Sequence, residues 1–337
     1  MLIDVAILGA TGLVGQKVIA LLINHPFFRI RELVASENRQ GKLFKEECSW
    51  VEPLASLPQE IGNIRLTSFY NLQSQFIISC LPSQIAKDIE PMLAKKGKII
   101  FSNASPFRLR HDIPLVVPEV NCCDLNLISL QLTEGKIVKN PNCSVIGIAL
   151  ALAPLLELSP IEILNVVTLQ SISGAGYLGL SSIDILGNTI PYIKDEEEKI
   201  ILETKRIFNK RDEVQINSIL AQVHRVPVLF GHTISLQICF RSKINFSEII
   251  ESYRSWNQTY NNLFVLHNEK GRPQANKDLN HGDMRVHIGH CKLGETEYQF
   301  SLIVLINNLV RGAAGAIVAN MENFIEFQKE MQLCQKI

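Results

Sequence analysis

Apolar and polar positions along this chain alternate in blocks, and the texture of the blocks changes near residue 143. Asp4-Val5-Ala6-Ile7-Leu8 is a short continuous apolar run of the kind a buried strand gives, and Gln16 to Leu22 follows as an apolar helix. Ile30 to Ala35 reads as a second strand, and Phe76-Ile77-Ile78-Ser79 as a third, running into a turn at Cys80-Leu81-Pro82-Ser83. Ile85 to Lys96 is predicted as a helix closed by Gly97, then Lys98 to Phe101 as a strand ending in Ser102-Asn103-Ala104-Ser105. Strands alternating with helices predict an open parallel sheet, with ligand at the strand C-termini. Pro114 to Asn121 reads as an extended connector.

Beyond it, an Asn140-Pro141-Asn142 breaker opens the apolar run Val145 to Leu158, and Ile163 to Leu169 is a β-branched strand ending in the turn Gln170 to Gly176. Asp195-Glu196-Glu197-Glu198-Lys199 opens a helix through Ile207, its acidic first turn complementing the helix dipole. Ser218 to Val228 and Thr233 to Arg241 are two long strand patterns joined through Leu229-Phe230-Gly231-His232. Glu297 to Leu305 is a late strand, and Arg311 to Phe327 a closing helix. Long neighbouring strands predict a mixed or antiparallel sheet, hence a second domain. The expected division is 1–138, completed by a C-terminal helix 311–337, and 139–310. No internal repeat or low-complexity segment is visible.

The 337 residues suffice for two cores. Lys+Arg and Asp+Glu both count 33, a zero balance that argues against nucleic acid or an anionic membrane as main partner. The run Val145 to Leu158 is broken by Pro154 and too short to span a bilayer, and Met1-Leu2-Ile3-Asp4 lacks the basic region of a signal peptide. The expected compartment is the cytoplasm. Cysteines at 48, 80, 122, 123, 143, 239, 291 and 334 lack Cys-x-x-Cys spacing, which supports neither a metal site nor a disulfide framework. Cys122-Cys123 reads as reduced residues beside a turn.

Two stretches carry candidate chemistry. Gly9-Ala10-Thr11-Gly12-Leu13-Val14-Gly15 stands between a strand and a helix, the context a dinucleotide fingerprint needs. After the second strand, Ser36 and Arg39 favour NADP, whereas Glu37 is what an NAD site would place there. Cys143 follows the Asn140-Pro141-Asn142 breaker, which suits an N-cap and a turn, and there unpaired N–H groups and the dipole favour thiolate, making it a candidate nucleophile. Free cysteine is equally a common buried hydrophobe, and this window alone leaves both readings open.

Assembled in order, these pieces resemble the aspartate-semialdehyde dehydrogenase family along nearly the whole chain, and most of all its archaeal and fungal branch. The matching segments are Gly9 to Gly15, Ser102-Asn103-Ala104, Val117-Pro118-Glu119-Val120-Asn121, Pro141-Asn142-Cys143-Ser144, Gln170 with Ser173-Gly174-Ala175-Gly176, and Glu196-Glu197-Glu198-Lys199. Arg225-Val226-Pro227-Val228 with Gly231-His232, Arg272-Pro273-Gln274, and Asn308 with Arg311-Gly312-Ala313-Ala314-Gly315 complete the set. The resemblance implies a Rossmann-like N-terminal domain and an α+β catalytic and dimerisation domain. It implies NADPH-dependent reductive dephosphorylation of L-4-aspartyl phosphate to aspartate 4-semialdehyde and phosphate, on the route to lysine or diaminopimelate, methionine and threonine, without a metal. Cys143 would be the nucleophile, His232 the proton-transfer group and Gln170 a substrate-orienting residue. Arg225 would hold the α-carboxylate and Glu196 the ammonium, while Arg108, Lys199 and Asn103 would serve the phosphate end. Gly9, Thr11, Gly12, Leu13, Val14, Gly15, Ser36, Arg39, Leu81, Ser173, Gly174 and Asn308 would line the cofactor, and the protein would be a homodimer or homotetramer.

Two departures from the family pattern stand out: Gln40 where a small residue is common, and His290 where an arginine is usual. N-acetyl-glutamyl-phosphate reductase and malonyl-CoA reductase share the chemistry and are the competing enzymes; a carboxylate at Glu196 would have less to do against an acetylated amine. A silent nucleotide-binding relative is the non-enzymatic alternative, against which Cys143, Gln170, Arg225 and His232 together speak.

Overall fold

A computed structural model describes residues 2–210 and 213–334, with side chains to Met331; the end of the predicted 311–337 helix, beyond 334, lies outside the described residues. The chain divides into two compact units, residues 1–141 with 313–337, and residues 142–312.

The first unit is built on a parallel five-stranded sheet in the order β2-β1-β3-β4-β5, formed by β1 (Ile3–Leu8), β2 (Phe28–Val34), β3 (Phe76–Ser79), β4 (Ile99–Ser102) and β5 (Lys136–Lys139). Its strands are apolar on both faces because helices cover both. Val5, Ile7, Ile78, Phe101 and Val138 pack with Val18 and Ile19 of α1 (Leu13–Leu22) and with Ile317, Met321 and Phe324 of the C-terminal helix Gly315–Cys334. Ala6, Leu8, Ile77, Ile100 and Ile137, one position along each strand, pack with Ile89 and Leu93 of α2 (Ser83–Lys95). β5 was not foreseen, because four residues flanked by lysines carry too little apolar pattern. The predicted connector 114–121 is extended only to Val117; Pro118–Asn121 is a helical turn, started by a proline whose missing N–H costs nothing there. Asn121 fixes it, accepting from Val117 N at 2.9 Å and donating to Leu115 O at 2.9 Å.

The second unit carries a mixed six-stranded sheet in the order β7-β6-β8-β11-β10-β9. Its strands are β6 (Ile161–Gln170), β7 (Ile216–Arg225), β8 (His232–Phe240), β9 (Phe264–His267), β10 (Val286–Leu293) and β11 (Gln299–Ile306). The two long patterns predicted as consecutive strands are not paired with one another: β6 lies between them, parallel to β7 and antiparallel to β8. One face is packed by α3 (Cys143–Leu156), α4 (Glu196–Phe208) and α5 (Phe246–Thr259), and the last of these was missed because its polar face outweighs its apolar stripe. Along β6 and β7 the other face carries solvent-exposed Ile163, Leu169 and Leu220. Among the described residues no helix is long and apolar enough to cross a membrane.

Candidate active site

In the first unit, the glycine loop closes by backbone approach. Gly9 has φ +74°, and a Cβ on it would stand 2.7 Å from Cys80 O; a Cβ on Gly15 would stand 2.4 Å from Gly9 O. Neither position tolerates a side chain, so the loop presses against the β3 turn beside Leu81 and leads through Thr11 and Gly12 into Leu13 and Val14, the first turn of α1. That cradle at a helix N-terminus suits a pyrophosphate. Past the end of β2, Arg39 Nη1 reaches Thr11 Oγ1 at 3.4 Å and Glu47 O at 3.1 Å, while Ser36 Oγ donates to Asn38 Oδ1 at 2.7 Å. A guanidinium and a hydroxyl beside the loop fit a 2′-phosphate, with Glu37 turned to solvent.

At the C-terminal end of β4, Arg108 Nη2 donates to Asn103 O at 2.6 Å, and Asn140 Nδ2 donates to Asn103 Oδ1 at 2.8 Å. Asn103 Nδ2 is buried with no hydrogen-bond partner among the described residues, a donor that a ligand could take up.

The second unit brings Cys143, Gln170, Glu196, Arg225 and His232 to one point. Asn142 caps α3, its Oδ1 accepting from Ser144 N at 2.9 Å, which places Cys143 in the first turn. Cys143 Sγ lies 3.2 Å from His232 Nε2. His232 begins β8, is fully buried, and is pushed down to about 3 by burial and by the Arg225 charge. Arg225 ends β7 and donates from Nη1 to Ser171 O at 2.8 Å. Burial lowers its pKa, opposed by attraction to Cys143 and Glu196. Room for the guanidinium comes from Gly174, where a Cβ would sit 2.6 Å from Arg225 Nη1; Gly312 likewise leaves room for Cys143, with a Cβ 2.8 Å from the cysteine Cβ.

Gln170 Nε2 donates to Ser144 Oγ at 3.1 Å and lies 3.3 Å from Glu196 Oε1, which also accepts from Asn142 Nδ2 at 2.6 Å. Lys199 Nζ stands 3.5 Å from Glu196 Oε2. Asn308 Oδ1 accepts from Gly231 N at 2.8 Å and from Ser171 Oγ at 3.0 Å, and its Nδ2 donates to Ser173 Oγ at 3.0 Å.

Sequence reasoning passed over Ser171 and Glu203. Glu203 Oε2 accepts from Asn142 N at 2.6 Å in the interior. A signal existed: the buried stripe of α4 runs Glu196, Ile200, Glu203, Thr204, Ile207, so two carboxylates occupy positions where helical spacing calls for apolar residues. Ser171 had no such signal, because its importance lies in what β8 brings against it. Among the described residues no group of three or more His, Cys, Asp or Glu could hold a metal ion.

A nucleotide-type parallel sheet and a mixed-sheet unit with a helix-borne cysteine define a class, and comparison with known proteins gives the class its name. The description "Semialdehyde dehydrogenase, NAD binding domain" matches residues 4–128, and "Semialdehyde dehydrogenase, dimerisation domain" matches residues 152–311. The chain is 36% identical over 339 residues to the aspartate-semialdehyde dehydrogenase of Archaeoglobus fulgidus, covering 96% of this chain and 98% of that one. It is 34% identical to that of Schizosaccharomyces pombe, over 94% and 96% of the two. The crystal structure of the Candida albicans aspartate semialdehyde dehydrogenase with NADP superposes with a TM-score of 0.84 at 30% identity, covering 96% of this chain and 98% of that one. The Vibrio cholerae aspartate semialdehyde dehydrogenase II gives a TM-score of 0.82 at 25% identity, over 97% and 99%. The chain belongs to the aspartate-semialdehyde dehydrogenase family, as its sequence had led us to expect.

Proposed function

We propose that this protein reduces L-4-aspartyl phosphate to L-aspartate 4-semialdehyde, releasing phosphate, through a thioester on Cys143, with NADPH as the reductant. The observation that carries the reading is the sulfur itself, in the first turn of α3 and 3.2 Å from His232 Nε2, with Arg225 close enough to feel its charge. Thiolate is suited to the work: it attacks the acyl carbon, the carbon–oxygen bond to phosphate breaks, and the thioester that forms accepts hydride readily. NADPH, when bound at the glycine loop, supplies that hydride. The resulting tetrahedral carbon collapses, restoring the carbonyl and expelling the Cys143 thiolate.

Substrate charge matches the residues around the sulfur. Arg225 offers the planar two-pronged donor an α-carboxylate wants, and lysine would not be equivalent. Glu196 would hold the ammonium and Gln170 would orient the acyl group. The phosphate end would be met by Lys199, Arg108 and the Nδ2 of Asn103, which has no hydrogen-bond partner among the described residues. Ser173, Gly174 and Asn308 would border the nicotinamide, and Ser36 with Arg39 the 2′-phosphate. The exposed apolar residues of β6 and β7 support a homodimer or homotetramer built through that sheet face.

The deciding experiment is the reverse reaction in steady state: aspartate semialdehyde and phosphate, with NADP and NAD side by side. Phosphate-dependent reduction of NADP is expected, with NAD much poorer. Reduction of malonyl-CoA or N-acetyl-glutamyl phosphate in preference to aspartyl phosphate would overturn the substrate.

A further inference from the structure

Asn142 is gripped at two points from outside its own helix. Its backbone N donates to Glu203 Oε2 at 2.6 Å and its Nδ2 to Glu196 Oε1 at 2.6 Å. Its Oδ1 turns inward, accepting from Ser144 N at 2.9 Å and Val145 N at 3.4 Å. Glu196 and Glu203 stand about two turns apart on the buried stripe of α4, so one face of that helix holds the residue that opens α3. Cys143 comes next in the chain.

Of the two carboxylates, only Glu196 has a place in the chemistry proposed above. Glu203 is 2% exposed and Asn142 7%, so solvent offers the Asn142 amide little in exchange if the bond is lost. An amide stranded at a buried helix entrance is relieved by a shift of the backbone, and the cap shifts with it. Cys143 Sγ stands 3.2 Å from His232 Nε2, which belongs to β8, so movement of the cap changes that approach directly. Charge is not what recommends Glu203, because a carboxylate near a thiolate disfavours the thiolate. What recommends it is its reach.

We propose that Glu203 is a positioning residue for the nucleophile: by accepting from the Asn142 backbone N–H it fixes the cap of α3, and through the cap the place of the Cys143 sulfur, a role that rests on the thioester reading above. Reach and charge can be separated by substitution. Glu203→Gln keeps the length and an accepting oxygen, Glu203→Asp keeps the charge but is one methylene short, and Glu203→Leu keeps neither.

After urea unfolding has established that each variant is folded, two measurements test the role. In the steady-state assay, Glu203→Gln should lose no more than about threefold in kcat, whereas Glu203→Asp and Glu203→Leu should each lose about ten- to a hundredfold, the effect of one stranded amide or of a sulfur displaced by about an ångström. KM for NADP should stay near the wild-type value in all three. The second measurement needs no substrate. Alkylation of Cys143 by iodoacetamide is followed by peptide mass spectrometry, with the exposed Cys122 and Cys123 as internal reference. Its pH midpoint should move upward in Glu203→Asp, where the first-turn N–H groups lose their fixed place beside the sulfur, and should be no higher than wild type in Glu203→Gln. Glu203→Asp performing as well as Glu203→Gln, alkylation indifferent to residue 203, or losses confined to KM would each overturn the proposal. Should Glu203→Leu fail to fold, the comparison of Glu203→Gln with Glu203→Asp decides alone. A protein inactive on aspartyl phosphate whose Cys143 still alkylates in this order would sink the reaction and uphold the positioning role.

Discussion

Glu90 and Lys139 meet inside the parallel-sheet unit, Oε2 to Nζ at 2.5 Å, with neither side chain exposed. Glu90 Oε1 takes hydrogen bonds from Ser79 Oγ at 2.8 Å and Ser102 Oγ at 2.5 Å, and Lys139 Nζ also donates to Ala104 O at 3.2 Å. One ion pair thus ties α2 to the ends of β3, β4 and β5, next to the turn that holds Asn103 and Arg108. Burial pushes the Lys139 ammonium down, to about 8, against the attraction of Glu90. Breaking such a pair strands a charge, so Lys139→Met should cost about 3–5 kcal/mol, and Glu90→Leu with Lys139→Met should recover most of it. Urea unfolding of the two single variants and the double gives the coupling; single variants as stable as wild type would show that the pair contributes nothing.

Cys143→Ala should abolish phosphate-dependent NADP reduction and leave NADP binding, followed by fluorescence titration, nearly as it was. The cofactor contacts proposed here do not include the sulfur. Turnover surviving in this variant would remove the thioester.

Arg225 and Gly174 share one space, so two quite different substitutions should act alike. Arg225→Lys gives up the planar two-pronged donor, and Gly174→Ala drives a methyl to 2.6 Å from Nη1. Each should raise KM for the semialdehyde about tenfold or more, by the worth of one charge-assisted hydrogen bond. Wild-type KM in both would detach Arg225 from the α-carboxylate.

Acid should destabilise the protein partly through His232. Its folded pKa of about 3 lies below the ordinary 6.5, so as pH falls through 6.5 the unfolded chain binds a proton that the native state refuses. Stability from this source is complete above about pH 6.5 and declines toward pH 3, by at most about 1.4 kcal/mol per pH unit. His232→Gln lacks this slope. Guanidinium unfolding at several pH values should show wild type losing ground to the variant as the solution is acidified; parallel curves would mean that His232 titrates normally in the fold.

Local signals and long-range ones were not equally legible. The glycine loop, the cap at Asn142 and the acidic opening of α4 were readable because each is decided within a few residues: a strand feeding a tight turn, a side chain reaching two residues on, a dipole answered by carboxylates. β5 and the order of β7, β6 and β8 were not, since strand pairing is settled between segments far apart in sequence. Glu90 lies 49 residues from its lysine and reads, on its own, as one more polar residue on a helix.

By itself the sequence determined which residue types the chemistry has to draw on, and roughly where each stands on its strand or helix: a cysteine after a cap, an arginine at a strand end, a histidine after a glycine. Backbone periodicity and short-range hydrogen bonding fix those matters, and both are written in consecutive residues. Tertiary structure alone decided that Gly174 must be bare to admit a guanidinium, and that the Ser171 amide faces Nδ1 of His232. Which nitrogen of a ring carries its hydrogen depends on what the other nitrogen meets, and what it meets here comes from the turn after β6, 61 residues away in the chain.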